Sequence, residues 1–229
     1  TNQAIAYGPD VEYVLASDGT RSFVVAAELK AQFAARTGLD LADRKTFKGS
    51  DLAGTIARHP MHALGDFFAR PRPLLAGDFV TTDSGTGLVH MAPDHGEDDF
   101  LLCKEHGIEP VFAVEGDGKY RADWAWLGGQ GSVINPKFNA PDGPICTALA
   151  ETGCLLAASA DYQHSYPHSW RSKAKVIFRC TPQWFVPMDR KIDRQAPLCA
   201  VEAGIRSEQQ AGETLRETAM AAIAANKDI

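Results

Sequence analysis

A chain of 229 residues, 45% of them hydrophobic, is long enough to bury a substantial core, and its formal charge of −6 argues against a domain that wraps duplex nucleic acid. Contact with a short single-stranded end stays open, because that needs only a local basic patch. No apolar run approaches the roughly 20 residues of a membrane span, and TNQAIAYGPD lacks the regions of a signal peptide, so a cytoplasmic chain is expected.

Val11 to Leu15 and Arg21 to Val25 are short β-prone runs on either side of Asp18-Gly19, which predicts an opening antiparallel hairpin. AAELKAQFAARTG follows with good helix formers and Gly38 at the capping position. From Lys45 to Pro73, interspersed Gly, Pro and short apolar runs predict irregular structure with brief strands. Two strand candidates come next, Leu74 to Thr82 and Gly87 to Ala92, joined by a Gly-rich turn over Asp83 to Thr86. A helix is predicted to start near Glu97 or Asp98 and to end before Gly107. PVFAVEGDGKYR reads as a hairpin around Gly116-Asp117-Gly118, and GPICTALAETG as a short helix ending at Gly153. The stretch from Leu155 to Asp189 reads as β-rich with interleaved aromatics, with Trp184 and Phe185 assigned to the core. The last forty residues turn helical, most clearly over 207–227. The opening without Met and the closing helical pattern read as a domain excised from a larger protein. Many short strands with outer helices predict one mixed α/β domain, mainly β, with a closed or nearly closed β-barrel.

Five cysteines, Cys103, Cys146, Cys154, Cys180 and Cys199, are odd in number and contain no C-x-x-C, which predicts reduced thiols. The chemistry concentrates in VTTDSGTGLVHMAPDHGEDDF, Val80 to Phe100. Asp83-Ser84-Gly85 matches the D-[ST]-G of aspartic proteases, but that chemistry needs a second copy, and the other Asp-Gly pairs lack the intervening hydroxyl. His90, His95, Asp98 and Asp99 are plausible metal ligands, although their spacing fits no common cage. A third reading is geometric. A strand carrying His90 runs through a tight turn into a helix start, so His90 and an aspartate of the first helical turn could face one pocket. Gly85 and Gly87 would leave its wall bare for close approach of a ligand. An aspartate at the positive end of a helix stays ionised and suits an ammonium group. Against this, a lone strand His is often a core residue and an early helical Asp a cap.

GTGLVHMAPDHGEDDF resembles the G-T-G-x-V-H-x-A-P-G-H-G-x-D-D-[FY] signature of the editing domain inserted in isoleucyl-tRNA synthetase. YQHSYPHSWRSKAKVIFRCTPQWFV is similar to a later segment of that family, and FKGSDLAGTIARHP to a third, so the resemblance spans the whole chain. It implies a β-barrel editing domain that hydrolyses valyl-tRNA(Ile) without a metal. The family is the standard illustration of the need: a site built for isoleucine rejects valine by only roughly 1–3 kcal/mol, so a second, smaller pocket must destroy the error. Carried over by position, Asp99 holds the substrate's α-ammonium and His90 lines the pocket that excludes isoleucine. Gly85, Thr86 and Gly87 form the wall near the terminal adenosine, and Thr81, Thr82, His95 and Asp98 join the substrate-binding set. The implied partners are the 3′ end of tRNA(Ile) carrying valine and the parent catalytic domain, in a monomer. No cofactor belongs to this segment; ATP and zinc belong to the parent enzyme. Asp94 stands where the signature has Gly, and Ser169 where it has Cys. Only Thr1 remains near the family's Thr-rich upstream segment, so the isolated segment is expected to edit weakly. Tyr162 to Arg171 reads either as a surface for the RNA end or as aromatic core packing, and Arg44, Lys45 and Lys48 as a solvated face.

Overall fold

A computed structural model of the chain describes residues 1–131, 134–161, 165–181, 183–191 and 214–225. They fall into two compact units, Thr1–Thr181 and Pro182–Ile229. The first unit is built on two sheets. β2 (Glu12–Ser17) and β3 (Ser22–Ala26) form the expected hairpin, with Val14 opposite Val25, and β4 (Ala42–Lys48) pairs on the other edge of β2. Arg44, Lys45 and Lys48 are exposed on β4, as a solvated face. Between β3 and β4 a 3-10 turn leads into α1 (Lys30–Thr37), which ends where Gly38 adopts φ +69°, a conformation that side-chain-bearing residues resist.

The second sheet positions the site. Its strand order is β5 (Ile56–Ala57), β6 (Arg72–Ala76), β1 (Ala4–Tyr7), β7 (Leu88–Met91). β1 runs parallel to β6 and antiparallel to β7. The expected turn between β6 and β7 is therefore a connection that carries the chain across β1. Local turn chemistry at Asp83 to Thr86 marks a reversal but does not choose the strand that is paired. β1, four residues of AIAY without a marked alternation, carries no strong strand signal of its own.

Side-chain alternation gives this sheet two faces. On one, Ala4, Ala6, Leu75 and Met91 form a core cluster with Cys103 of α3 (Glu97–Glu105). Met91 and Cys103 are 0% exposed, and burial pushes the Cys103 thiol up to about 11, so it acts as a packing group. The opposite face carries Arg72, Ile5 and His90: Ile5 is paired with both Leu74 and His90, and Arg72 is two residues from Leu74 on β6. Phe67 and Phe68 of α2 (Asp66–Ala69) gather with Trp124, Trp126 and Leu149 of α4 (Pro144–Glu151) in a third cluster. The sheets are joined by Tyr13, 0% exposed, whose hydroxyl donates to the Gly87 carbonyl at 2.6 Å and accepts from the Gly8 N–H at 3.0 Å.

The mixed α/β class is as the sequence implied. Among the described residues the strands form these two open ladders, four- and three-stranded, and no closed ring. The hairpin around Gly116-Asp117-Gly118 is reduced to a single bridge, Val114 to Tyr120. The reading of 155–189 as β-rich is corrected: among its described residues there is one bridge, His168 to Lys175, and no strand. The core assignment of Trp184 and Phe185 is also corrected, since they are 99% and 86% exposed. Trp170, 76% exposed with the Arg171 guanidinium 4.7 Å over its ring, is likewise outside any core. Tyr162, Cys199 and residues 207–213 lie outside the described residues. In the second unit α5 spans Leu215–Ala225, and Arg216 pairs with Asp189.

Candidate functional site

The face of the sheet opposite α3 borders a cavity of about 690 Å³. Its wall includes Ile5, Ala57, Arg72, His90 and Ala92 from the sheet, His95 from the turn after β7, and Phe67, Phe68, Trp124 and Trp126 at an aromatic end. Register explains the sheet side: residues paired across neighbouring strands point the same way, which lines up Ile5 with His90 and puts Arg72 on the same face. His90 is solvent-accessible on this wall rather than sealed in a core.

Behind His90 the turn Ala92 to Gly96 is tightly held. His95 lines the cavity with one ring edge on Phe178 O, 2.6 Å from Nδ1, and the other on Asp94 Oδ2, 2.9 Å from Nε2. Asp94 is not a wall residue. It is 2% exposed and also accepts from the Thr1 nitrogen at 2.8 and 3.0 Å. Burial, the largest single influence, works against its ionisation, and the His95 hydrogen bond together with Thr1 outweighs it, leaving the carboxyl below the usual range. The Cys180 N–H donates to the Asp94 carbonyl at 2.8 Å, which fastens the 177–180 segment, itself part of the wall through Ile177 and Phe178, to the turn.

Asp99 sits in the first turn of α3, as expected, but the geometry does not bring its carboxylate into the cavity beside His90. Its Oδ2 accepts the Ala92 N–H at 2.6 Å, and Asp99 is absent from the wall that Ala92 helps to form. The reason is the strand parity: α3 lies against Met91 and Ala4, on the face that His90 turns away from. Asp98 is exposed beside it.

The glycine-rich connection lies apart from this cavity. Thr81 is exposed, and the Thr82 hydroxyl donates to Glu28 Oε2 at 2.6 Å. Gly85 and Thr86 border a second cavity of about 400 Å³ with Phe33 and Arg36. Thr86 O accepts the Ala26 N–H at 2.8 Å. Gly87 is a packing residue rather than a bare wall for a ligand: at φ +72°, a β-carbon there would lie 2.5 Å from that of Ala26. Of the three residues expected to form the wall near the terminal adenosine, Gly85 and Thr86 thus line the second cavity and Gly87 is buried in packing.

Sequence reasoning missed the aromatic end. His59 stacks edge-on to Phe68 and Trp126 and accepts the Met61 N–H on Nδ1 at 3.0 Å. Burial, with Arg72 and His62 nearby, pushes its pKa down to about 4. The only advance signal was the local density of rings in DFF and WAW, which any core would also show.

No family model matches the chain. Over 225 residues, 97% of its length, it is 55% identical to the isoleucine–tRNA ligase of Zymomonas mobilis. The chain belongs to the isoleucine–tRNA ligase family. It is 42% identical to the ligase of Gluconobacter oxydans over 82% of its length, and 36% identical to that of Caulobacter vibrioides over 97%. The matches cover 22%, 21% and 23% of these relatives, so the chain spans about a fifth of the length of the ligases it resembles. Among solved structures, one titled "The crystal structure of GlLeuRS-CP1" aligns over 47% of this chain and 44% of its own at 17% identity, with a TM-score of 0.37.

Proposed function

We propose that this segment of an isoleucine–tRNA ligase is its editing domain, which hydrolyses valyl-tRNA(Ile) and spares isoleucyl-tRNA(Ile). The observation that carries the reading is the position of His90, accessible on the wall of a large cavity at the end of the strand that bears the family-like signature. In this reading a water attacks the ester carbonyl, the carbonyl–ribose oxygen bond breaks, the amino acid leaves as its carboxylic acid and the ribose regains its hydroxyl. No metal takes part. His90, with Ala92 and the His95 edge, bounds the acyl pocket and limits the side chain it admits. Partners are the 3′ end of tRNA(Ile) and the catalytic domain of the parent synthetase, in a cytoplasmic, monomeric enzyme.

Asp99 keeps its proposed part with two distinguishable forms. It binds the α-ammonium directly through Oδ1 after a rearrangement that carries the carboxylate into the cavity, or it acts as a positioning residue that holds Ala92, and with it the wall, through Oδ2. Asp99→Asn separates them, because an amide oxygen can still accept the Ala92 N–H but carries no charge. Direct binding predicts loss of deacylation in both Asp99→Ala and Asp99→Asn; positioning predicts loss in the first and retention in the second.

The reading is tested by incubating the full-length synthetase with valyl-tRNA(Ile), with and without chelator. Deacylation that survives the chelator, and that His90→Ala extends to isoleucyl-tRNA(Ile), is the expected result. Loss on chelation would replace it with a metal-dependent hydrolase, and absence of turnover would leave an RNA-end binding module.

A further inference from the structure

The cavity face of the four-stranded sheet is not open along its whole length. Tyr7 of β1 stands opposite Leu88 of β7, and both pack into the cluster around Tyr13, together with Leu74 of β6. Two residues along, Ile5 stands opposite His90, and both of these side chains border the cavity. Ile5 is half-buried, with Leu74 in register on its other side, so packed side chains back it and the rest of its surface is presented to the cavity. Among the residues that the sheet contributes to the wall, Ala4, Ile5, Ala57, Arg72 and His90, it is the one branched aliphatic side chain.

Residues paired on one face of antiparallel strands hold their β-carbons roughly 5 Å apart. A side chain seated against His90 therefore meets Ile5 as well. The chain after β7 is equally fixed. Ala92, on the same face two residues from His90, is 4% exposed with its N–H held by Asp99, and His95 is engaged at both ring nitrogens. Selection by size needs such a wall: one that gives way admits a longer side chain at little cost, whereas close-packed side chains resist the added volume.

We infer that Ile5 is a specificity-determining residue for the deacylation proposed above: its side chain, opposite His90, sets the depth of the acyl pocket, so that valine is accepted and isoleucine, one methylene larger, is turned away. This rests on the reading of the cavity as the acceptor of a mischarged ester. It adds that the limit on size is shared between the imidazole and an aliphatic side chain of β1, a strand outside the signature that carries His90.

Ile5→Val removes one methylene from the wall, the amount by which isoleucine exceeds valine. The test is deacylation of valyl-tRNA(Ile) and isoleucyl-tRNA(Ile), each supplied preformed and without ATP, by the full-length synthetase and its Ile5→Val and Ile5→Ala variants. A methylene in an apolar pocket is worth about 10- to 200-fold in kcat/KM. Ile5→Val is expected to raise kcat/KM for isoleucyl-tRNA(Ile) at least about tenfold and to leave that for valyl-tRNA(Ile) within about threefold. Ile5→Ala should raise the former further. The ratio of the two substrates is read on one enzyme sample, so a smaller folded fraction in a variant cancels. Val89→Ala, on the α3 face of β7, should leave the ratio unchanged. An unchanged ratio in both Ile5 variants, or an equal change in Val89→Ala, overturns the role of Ile5 and leaves the editing reading intact. Absence of valyl-tRNA(Ile) deacylation by the wild-type synthetase overturns the editing reading, and the role of Ile5 with it.

Discussion

The two faces of the four-stranded sheet share the same backbone and differ in nearly everything else. On the α3 face Met91 and Cys103 are fully buried among Ala4, Ala6, Leu75 and Val80. On the other, one residue along each strand, His90 is accessible, Arg72 is charged and donates to backbone carbonyls, and a cavity of about 690 Å³ remains. The closed face holds the register through apolar burial, and that leaves the open face free of the demand for close packing, since a one-residue slip would exchange the two sets.

The comparison can be broken by mutation. Met91→Ala should cost about 2–5 kcal/mol in urea unfolding, the range for emptying a core site, whereas His90→Ala on the same strand should cost within about 0.5 kcal/mol. Similar costs at the two positions would mean that the two faces do not differ in how tightly they are packed. Gly87→Val tests the junction between the sheets: a positive φ and contact with Ala26 predict a loss of about 1–3 kcal/mol, and an unchanged unfolding midpoint would show that the junction yields.

Asp94→Gly, which restores the residue of the family signature, should cost about 1–3 kcal/mol by leaving the His95 edge without its acceptor. The sign with pH follows from a folded-state pKa below the ordinary value. The carboxylate stabilises the fold above about pH 4, and that contribution fades as acid protonates it. The wild-type and variant midpoints should therefore converge only in strong acid. A pH-dependent effect belongs to the aromatic end. His59 titrates at about 4 in the fold and at 6.5 ordinarily, so the unfolded chain takes up a proton first and stability falls as pH drops from 6.5 to 4. His59→Phe should flatten that part of the profile, measured as urea midpoint against pH; an unchanged slope would place the titration elsewhere.

The hairpin at Asp18-Gly19, α1 with its Gly38 cap, and the start of α3 were legible because each depends on neighbours in sequence: a turn pair, a cap, an acidic first turn. The insertion of β1 between β6 and β7 was not, because strand pairing is a long-range choice that a four-residue Ala-rich stretch does not signal. The site divided the same way. His90 and His95 stand out in their motif and both line the cavity, while the parting of Asp99 from His90 followed from which face α3 covers.

Sequence by itself determined the family, the local elements and the residues around which chemistry would gather, since motifs and caps are written in consecutive positions. Only the tertiary structure decided which of those residues share a cavity, that Gly87 serves packing, and that Arg72 is a buried cation held by backbone carbonyls, with no carboxylate beside it among the described residues. The physical reason is that burial and charge compensation are properties of surroundings drawn from distant parts of the chain, and no single stretch contains them.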